Sequence, residues 1–233
     1  MKDKNTDHEK KFTFNDNVTS CFSDMLERSI PSYQLMRELT YRIIEKYLFS
    51  GCVVLDIGTS TGEVIFPLAK KYKNSHFIGL EHSDSMIKNA KERFKDYKNV
   101  DIRKHDLRER IFLSEEVDII ISSLTIQFTP IEYRLQILKN LNDLLSDKGV
   151  FIFIEKVIGA SAILNSNLVD IYYNIKLDNG YSYEEIQRKK LALEGVLVPV
   201  TAKWNEELLK MSGFTQVDCF WRCLNFSGWI AIK

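Results

Sequence analysis

The segment Asp56-Ile57-Gly58-Thr59-Ser60-Thr61-Gly62 directly follows a short apolar run at residues 52–56. A glycine-containing turn after a buried strand lets a ligand approach the backbone at the carboxyl edge of a sheet. The spacing excludes two familiar phosphate-binding turns. Gly58 and Gly62 are four apart with Ser60 between them, unlike the dinucleotide fingerprint, and no Gly-Lys-Ser/Thr follows to make a P-loop. A tight turn that simply needs two glycines is the plainer alternative. Glu81 ends the next apolar run, about 20 residues beyond the turn, where a carboxylate suits the hydroxyls of a ribose. Asp106 follows a third run, in position for the rim of an adenine, and Ser122 and Ser123 follow a fourth. Singly, each reads equally well as an exposed strand-end acid or a helix cap. Together they fall in order along one edge of one sheet.

The elements that must position these groups are legible as alternation. Short apolar strands are expected at 52–56, 76–81, 100–103, 117–122 and 150–155, with helices at 63–72, 85–95 and 131–145 between them. Strands alternating with helices predict parallel βαβ units. Runs such as VVLD, DIII and FIFI are continuously apolar, as strands buried on both faces should be. Residues 12–50 read as helical: Val18, Phe22, Met25 and Leu26, then Leu35, Leu39, Ile43, Ile44 and Leu48 after an interruption at Pro31. Residues 156–200 form a mostly helical insertion, and a last helix at 204–211 ends at Gly213. Alternating stretches at 215–222 and 225–232 predict an antiparallel hairpin at one sheet edge. The expectation is a single α/β domain over residues 1–233, with 1–11 a polar, disordered leader.

The composition excludes several classes. The chain has 233 residues, enough for one sizeable core, and equal numbers of acidic and basic residues, 32 each. A phosphate-binding surface usually carries a basic excess, so direct nucleic-acid binding is not expected. Cys21, Cys52, Cys219 and Cys223 lack zinc or disulfide spacing, and His8, His76, His82 and His105 lack metal-ligand spacing. No metal is expected. No apolar run is long enough to span a bilayer, and the first residues do not form a signal peptide, so a cytoplasmic protein is expected.

The order Asp-x-Gly after strand one, acid after strand two, Asp after strand three and a terminal hairpin resembles the class I S-adenosylmethionine (SAM)-dependent methyltransferases. That resemblance implies a Rossmann-like seven-stranded sheet, mostly parallel, with the final strand antiparallel. Phe12-Thr13-Phe14, the segment from Phe22 to Tyr33, Leu124-Thr125-Ile126-Gln127-Phe128, Asn179-Gly180-Tyr181-Ser182 and Leu224-Asn225-Phe226 are similar to carboxy-SAM synthases more narrowly. In that family SAM reacts with prephenate to give carboxy-SAM, which a second enzyme uses on the wobble uridine of tRNA. The resemblance places Tyr33, Gly58, Thr59, Ser60, Glu81, His82, Asp106, Leu107 and Ser123 on cofactor-binding positions. It also implies that residues 12–50 form a lid and that the protein is a homodimer. Glu81 stands where the family has Asp, Ser123 where it has Asn, and Lys190 where an arginine grips the extra carboxylate. Lysine is a point charge without the planar fork of arginine. A solvated basic face at 188–190 is the plainer account of Lys190.

The leading expectation is therefore a SAM-dependent enzyme acting on a small molecule, most simply by methyl transfer. Tyr172, Tyr173 and Tyr181 lie in the insertion that would shape the acceptor pocket, where aromatic rings can steady a sulfonium. Packing of helical tyrosines is the competing account. Carboxy-SAM synthesis is the second reading, with Lys190 in place of the arginine. Intramolecular cyclisation of SAM, releasing methylthioadenosine, is the third, and a SAM-binding subunit without chemistry is the non-enzymatic alternative.

Overall fold

The computed structural model describes residues 22–233, so the expected leader and the first part of the lid, including Val18, lie outside the described residues. Helix α1 (Phe22–Ser29) and helix α2 (Tyr33–Tyr47) flank Pro31, which separates them as its missing amide proton predicts. There follow β1 (Val53–Ile57), α3 (Ile65–Lys71), β2 (His76–Glu81), α4 (Asp84–Arg93), β3 (Val100–Lys104) and β4 (Val117–Ser123). A 3₁₀ turn (Ile126–Phe128) leads into α5 (Ile131–Leu144) and β5 (Leu145–Ile158). The chain closes with α6 (Ala162–Asp178), α7 (Tyr183–Leu193), β6 (Val200–Thr201), α8 (Ala202–Met211), β7 (Gln216–Cys223) and β8 (Phe226–Ile232).

The sheet runs β3-β2-β1-β4-β5-β8-β7, with β6 beside β5. Strands β1 to β5 are parallel, whereas β8 lies antiparallel to both β5 and β7. This is the Rossmann-like methyltransferase architecture, with the antiparallel hairpin where the alternating C-terminal residues put it. The apolar runs occupy the buried centre: every residue of β1 is buried, while edge strand β3 is half exposed. One face of the sheet (Val54, Phe77, Ile119, Ile121, Ile152) packs with Ile44 of α2, Ile65 of α3 and Ile87 of α4. The other (Leu55, Ile78, Ile120, Phe151, Phe153) packs with Leu138 and Leu141 of α5 and Leu208 and Leu209 of α8. Each such side chain contributes about 1.5–3 kcal/mol through burial.

Two features depart from the sequence reading. Strand β5 has 14 residues rather than the six at 150–155, because it leaves α5 directly at Leu145 and continues to Ile158. Its register places Ser123, the last residue of β4, opposite Ile154. Beyond that point β5 has a vacant edge, and Val200 and Thr201 fill it by pairing with Val157 and Ile158. The seven-stranded path thus carries an eighth, two-residue strand.

Buried polar groups hold the β4–α5 connection. Glu155 accepts the amide of Ile126 at 3.1 Å, and Arg134 donates to the carbonyls of Gln127, Thr129 and Val198 at 3.1, 3.0 and 2.8 Å. Burial pushes the Glu155 carboxyl up to about 8 despite the guanidinium of Arg134. Helix α2 is tied to the β1–α3 turn by Arg37, which donates to the Glu63 carbonyl at 3.0 Å, and by Tyr41, which donates to the same oxygen at 3.1 Å.

Candidate active site

The β1–α3 turn is built from its own side chains. Asp56 is buried, and Thr59 donates its hydroxyl to it at 2.7 Å. Burial pushes the Asp56 carboxyl up to about 7, with the Thr59 bond acting in the opposite direction and the Glu81 charge reinforcing burial. The Thr59 amide donates to Leu80 on the neighbouring strand at 3.0 Å, which fixes the turn against β2. Gly58 and Gly62 adopt φ of 65° and 79°, and a Cβ on them would lie 2.3 Å from Thr125 and 2.2 Å from Phe94 respectively. Both glycines thus serve the left-handed backbone and the protein's own packing.

Along the carboxyl edge, Glu81 accepts the amide of Ser60 at 2.9 Å and those of His82 and Ser83 at 2.8 and 2.9 Å. A carboxylate offers about four acceptor positions, so this arrangement leaves room for hydroxyl donors while fixing the group's direction. The ring of His82 is exposed beside it. Asp106 accepts the Arg108 amide and Nε at 3.0 Å, and the Arg108 guanidinium holds its carboxyl down at about 2. Leu107 is half-buried against the core. Ser123 opens into a small cleft with Tyr33, Met36, Arg37, Thr40 and Ile154. Tyr33 is buried, and its hydroxyl lies 3.4 Å from Arg37. The turn, Glu81, His82 and Asp106 therefore share one edge, and Tyr33 meets Ser123 across a cleft at its end.

A second cluster lies beyond Ser123, where β5 projects past β4. Tyr172 and Tyr173 of α6 have ring centroids 5.7 Å apart, and Tyr172 meets Phe226 of β8 edge-on at 5.7 Å. Tyr181 is buried, with its hydroxyl 2.9 Å from Ser29 of α1 and accepting Lys189 at 3.1 Å. Cations surround these rings. Lys156 lies 4.9 Å from the Tyr172 centroid and Lys176 5.5 Å, while Lys176, Lys189 and Arg28 lie 4.8, 4.7 and 4.5 Å from that of Tyr181.

Lys190 does not join this cluster; it is exposed on α7, and Lys189, one residue earlier, reaches Tyr181 instead. Sequence reasoning did not single out Lys156, Lys176, Lys189, Arg28 or Thr125. The available signal was Glu155-Lys156, a charged pair closing the apolar run of β5 at its carboxyl end. Among the described residues, no group of His, Cys, Asp or Glu side chains could hold a metal ion, and no helix is long and apolar enough to cross a membrane.

Residues 54–149 match the methyltransferase domain family. Over its whole length the chain is 36% identical to a carboxy-S-adenosyl-L-methionine synthase of Nautilia profundicola, covering 100% of both chains. It is 37% identical to one of a Nitratiruptor species, covering 97% of this chain and 94% of that one. Among solved structures, a SAM-dependent methyltransferase from Aquifex aeolicus superposes with a TM-score of 0.61 at 17% identity, over 94% of this chain and 99% of that one.

Proposed function

The chain belongs to the carboxy-S-adenosyl-L-methionine synthase family, and from that premise we propose that it converts SAM to carboxy-SAM with a small carboxylic acid as second substrate. It is a SAM-dependent transferase, and SAM is its cofactor. The observation that carries the reading is end-to-end correspondence: the match covers 100% of the chain and so includes the lid and the 156–200 insertion besides the SAM-binding sheet. A methyltransferase with an unrelated acceptor would be expected to share the sheet and diverge in those two segments.

The donor set fits a nucleoside. The turn at Gly58, Thr59 and Ser60 lies against the ligand, Glu81 takes the ribose hydroxyls, and Asp106 with His82 and Leu107 lines the adenine. Tyr33 and Ser123 sit at the methionyl end. In this reaction the S-methyl carbon of SAM stays on sulfur: it gives up a proton, made acidic by the adjacent sulfonium, and gains a carboxyl carbon from the second substrate. The chain's part is to align that carbon with the second substrate and to exclude water, work that alignment alone can accelerate greatly. Tyr172, Tyr173 and Tyr181 wall the acceptor chamber, and their rings favour cationic partners.

Methyl transfer is the second reading, and Lys190 with Ser123 favours it. Without an arginine fork at 190, a carboxylated ligand gains less orientation over SAM itself. SAM cyclisation has no specific feature in its favour. The protein is read as one folded unit acting on small molecules in the cytoplasm, without direct nucleic-acid contact. A second copy is the expected partner, supported by the family and by Ile163, Leu164 and Ile171, exposed at 75%, 53% and 48% along α6.

Incubation with SAM alone and then with SAM and prephenate, with products identified by mass, decides among these. Carboxy-SAM formed only with prephenate is expected. S-adenosylhomocysteine formed with another acceptor, and no carboxy-SAM, would promote methyl transfer; methylthioadenosine from SAM alone would promote cyclisation.

A further inference from the structure

Lys156 occupies an unusual position. Ser123 ends β4 opposite Ile154, so Lys156, two residues on, shares the face of Ile154 but lies beyond the end of β4. Ile154 lines the cleft that also holds Tyr33 and Ser123. Lys156 therefore lies on the Ile154 face of β5, one step past the strand end that carries Ser123. Its backbone is anchored: its amide donates to Gln127 Oε1 at 2.7 Å, and it pairs with Phe226 across β8.

The ammonium has rings around it and, among the described residues, no anion beside it. Its centroid distances are 4.9 Å to Tyr172 and 5.9 Å to Phe226. Among the described residues no carboxylate or hydrogen-bond acceptor contacts it. The adjacent Glu155 faces the other side of the sheet and is occupied by backbone amides and the charge of Arg134. Burial alone pushes the Lys156 ammonium down to about 8, with no carboxylate to oppose the shift. The residue as a whole is half-buried, and a lysine whose ammonium lies among rings rather than in water is ordinarily paired. Ring faces compensate only part of the lost hydration. Lys176, near the same Tyr172 ring, adds positive charge at 5.5 Å from its centroid.

We propose that Lys156 receives a carboxylate of the second substrate, in a chamber walled by Tyr172 and Phe226 that adjoins the methionyl end of the SAM cleft. This deepens the carboxy-SAM reading and rests on it for the identity of the acid. It gives the second substrate's carboxylate a subsite at the end of β5, separate from Lys190, the position at which the resembling family grips the extra carboxylate of carboxy-SAM. Geometry favours a small acid with an apolar ring or chain beside its carboxylate, because the ammonium is reached across aromatic surface. Lys156 would then bind and orient the acid.

The test uses the full chain, with prephenate as the probe. Calorimetric titration of prephenate into wild type, Lys156→Met and Lys156→Arg, each saturated with S-adenosylhomocysteine, measures the subsite directly; carboxy-SAM formation measures the chemistry. Lys156→Met is expected to weaken prephenate binding at least tenfold and raise its KM in parallel, while SAM affinity stays within about threefold. Lys156→Arg should recover most of the loss. Reductive methylation of wild type provides a readout without substitution: prephenate should slow modification of Lys156 at least fivefold, and SAM alone should not. Equal prephenate affinity in wild type and Lys156→Met, or no protection, overturns the subsite even if carboxy-SAM is made. No binding of prephenate to wild type overturns it as well. Binding and protection that depend on Lys156 without carboxy-SAM formation keep the subsite and defeat the synthase reading.

Discussion

The two halves of the site are built by opposite means. At the ends of β1 to β3, carboxylates and backbone amides lie close together in sequence: Ser60 meets Glu81 across 21 residues, and Asp106 is held by Arg108. Beyond β5, cations and aromatic rings arrive from distant segments: Ser29 meets Tyr181 across 152 residues, and Asn179 meets the Arg28 carbonyl across 151. The first half offers carboxylates and suits the hydroxyls of a ribose. The second is cationic and suits an acid. A fold whose net charge is zero can thus gather carboxylates at one set of strand ends and cations with aromatic rings at another, which composition averages away.

The largest expected effect comes from separating the halves. A chain beginning at residue 35 loses Tyr33 from the cleft and Ser29 and Arg28 from Tyr181. SAM binding should fall more than a hundredfold, about 2.7 kcal/mol or more, while circular dichroism still reports a folded sheet. Full affinity in that folded fragment would show that the lid contributes nothing. Glu81→Ala strikes the acidic half alone and should weaken SAM binding by about 1–3 kcal/mol. Unchanged affinity by calorimetry would remove Glu81 from the site.

A pH titration sharpens the comparison from within the acidic half. Asp56 is raised by burial from the usual carboxylate range to about 7. The folded state therefore binds its proton more tightly than the unfolded chain, so this contribution is full below the unfolded value near 4 and is lost as pH rises through about 7. Asp56→Asn keeps an acceptor for Thr59 and removes the titration. The stability difference between wild type and variant should change by up to about 1.4 kcal/mol per pH unit between pH 5 and 7. Parallel urea midpoints across that range would refute it.

Smaller effects test the cationic half. Tyr181→Phe removes the hydroxyl shared by Ser29 and Lys189 and should cost about 0.5–1.5 kcal/mol, seen in the KM of the second substrate rather than in SAM affinity. The least effect is expected at Lys190. The resemblance to arginine-bearing relatives predicts that Lys190→Arg shifts preference toward carboxy-SAM, yet the exposed side chain leaves such a pair screened and worth at most about 1 kcal/mol. Competition titration of SAM against carboxy-SAM should move by less than about fivefold. A larger shift would bring Lys190 into the site.

Much of the architecture was legible because its signals are local. Continuously apolar runs marked β1, β2 and β4 to within a residue or two, since burial on both faces leaves no alternation to misread. The position of Glu81, Asp106 and Ser123 along one edge was legible because a parallel sheet delivers every strand end to that edge. Strand β5 was misjudged in length because Leu145-Ser146-Asp147-Lys148 has no strand pattern of its own and is extended by pairing with Val117. Lys190 stands out in the sequence because it aligns with the arginine of the resembling family, whereas the contact of Lys189 with Tyr181 depends on how the helix packs, which spacing within a basic run does not encode.

The amino-acid sequence by itself determined the order of strands and helices, the hairpin and the acidic side chains at the strand ends, all consequences of period and neighbour. Tertiary structure alone decided what Gly58 makes room for, which lysine meets Tyr181 and where Lys156 stands relative to Ser123. Those outcomes depend on strand register and on contacts between segments more than a hundred residues apart. Loop closure and packing set them, and no local pattern encodes either.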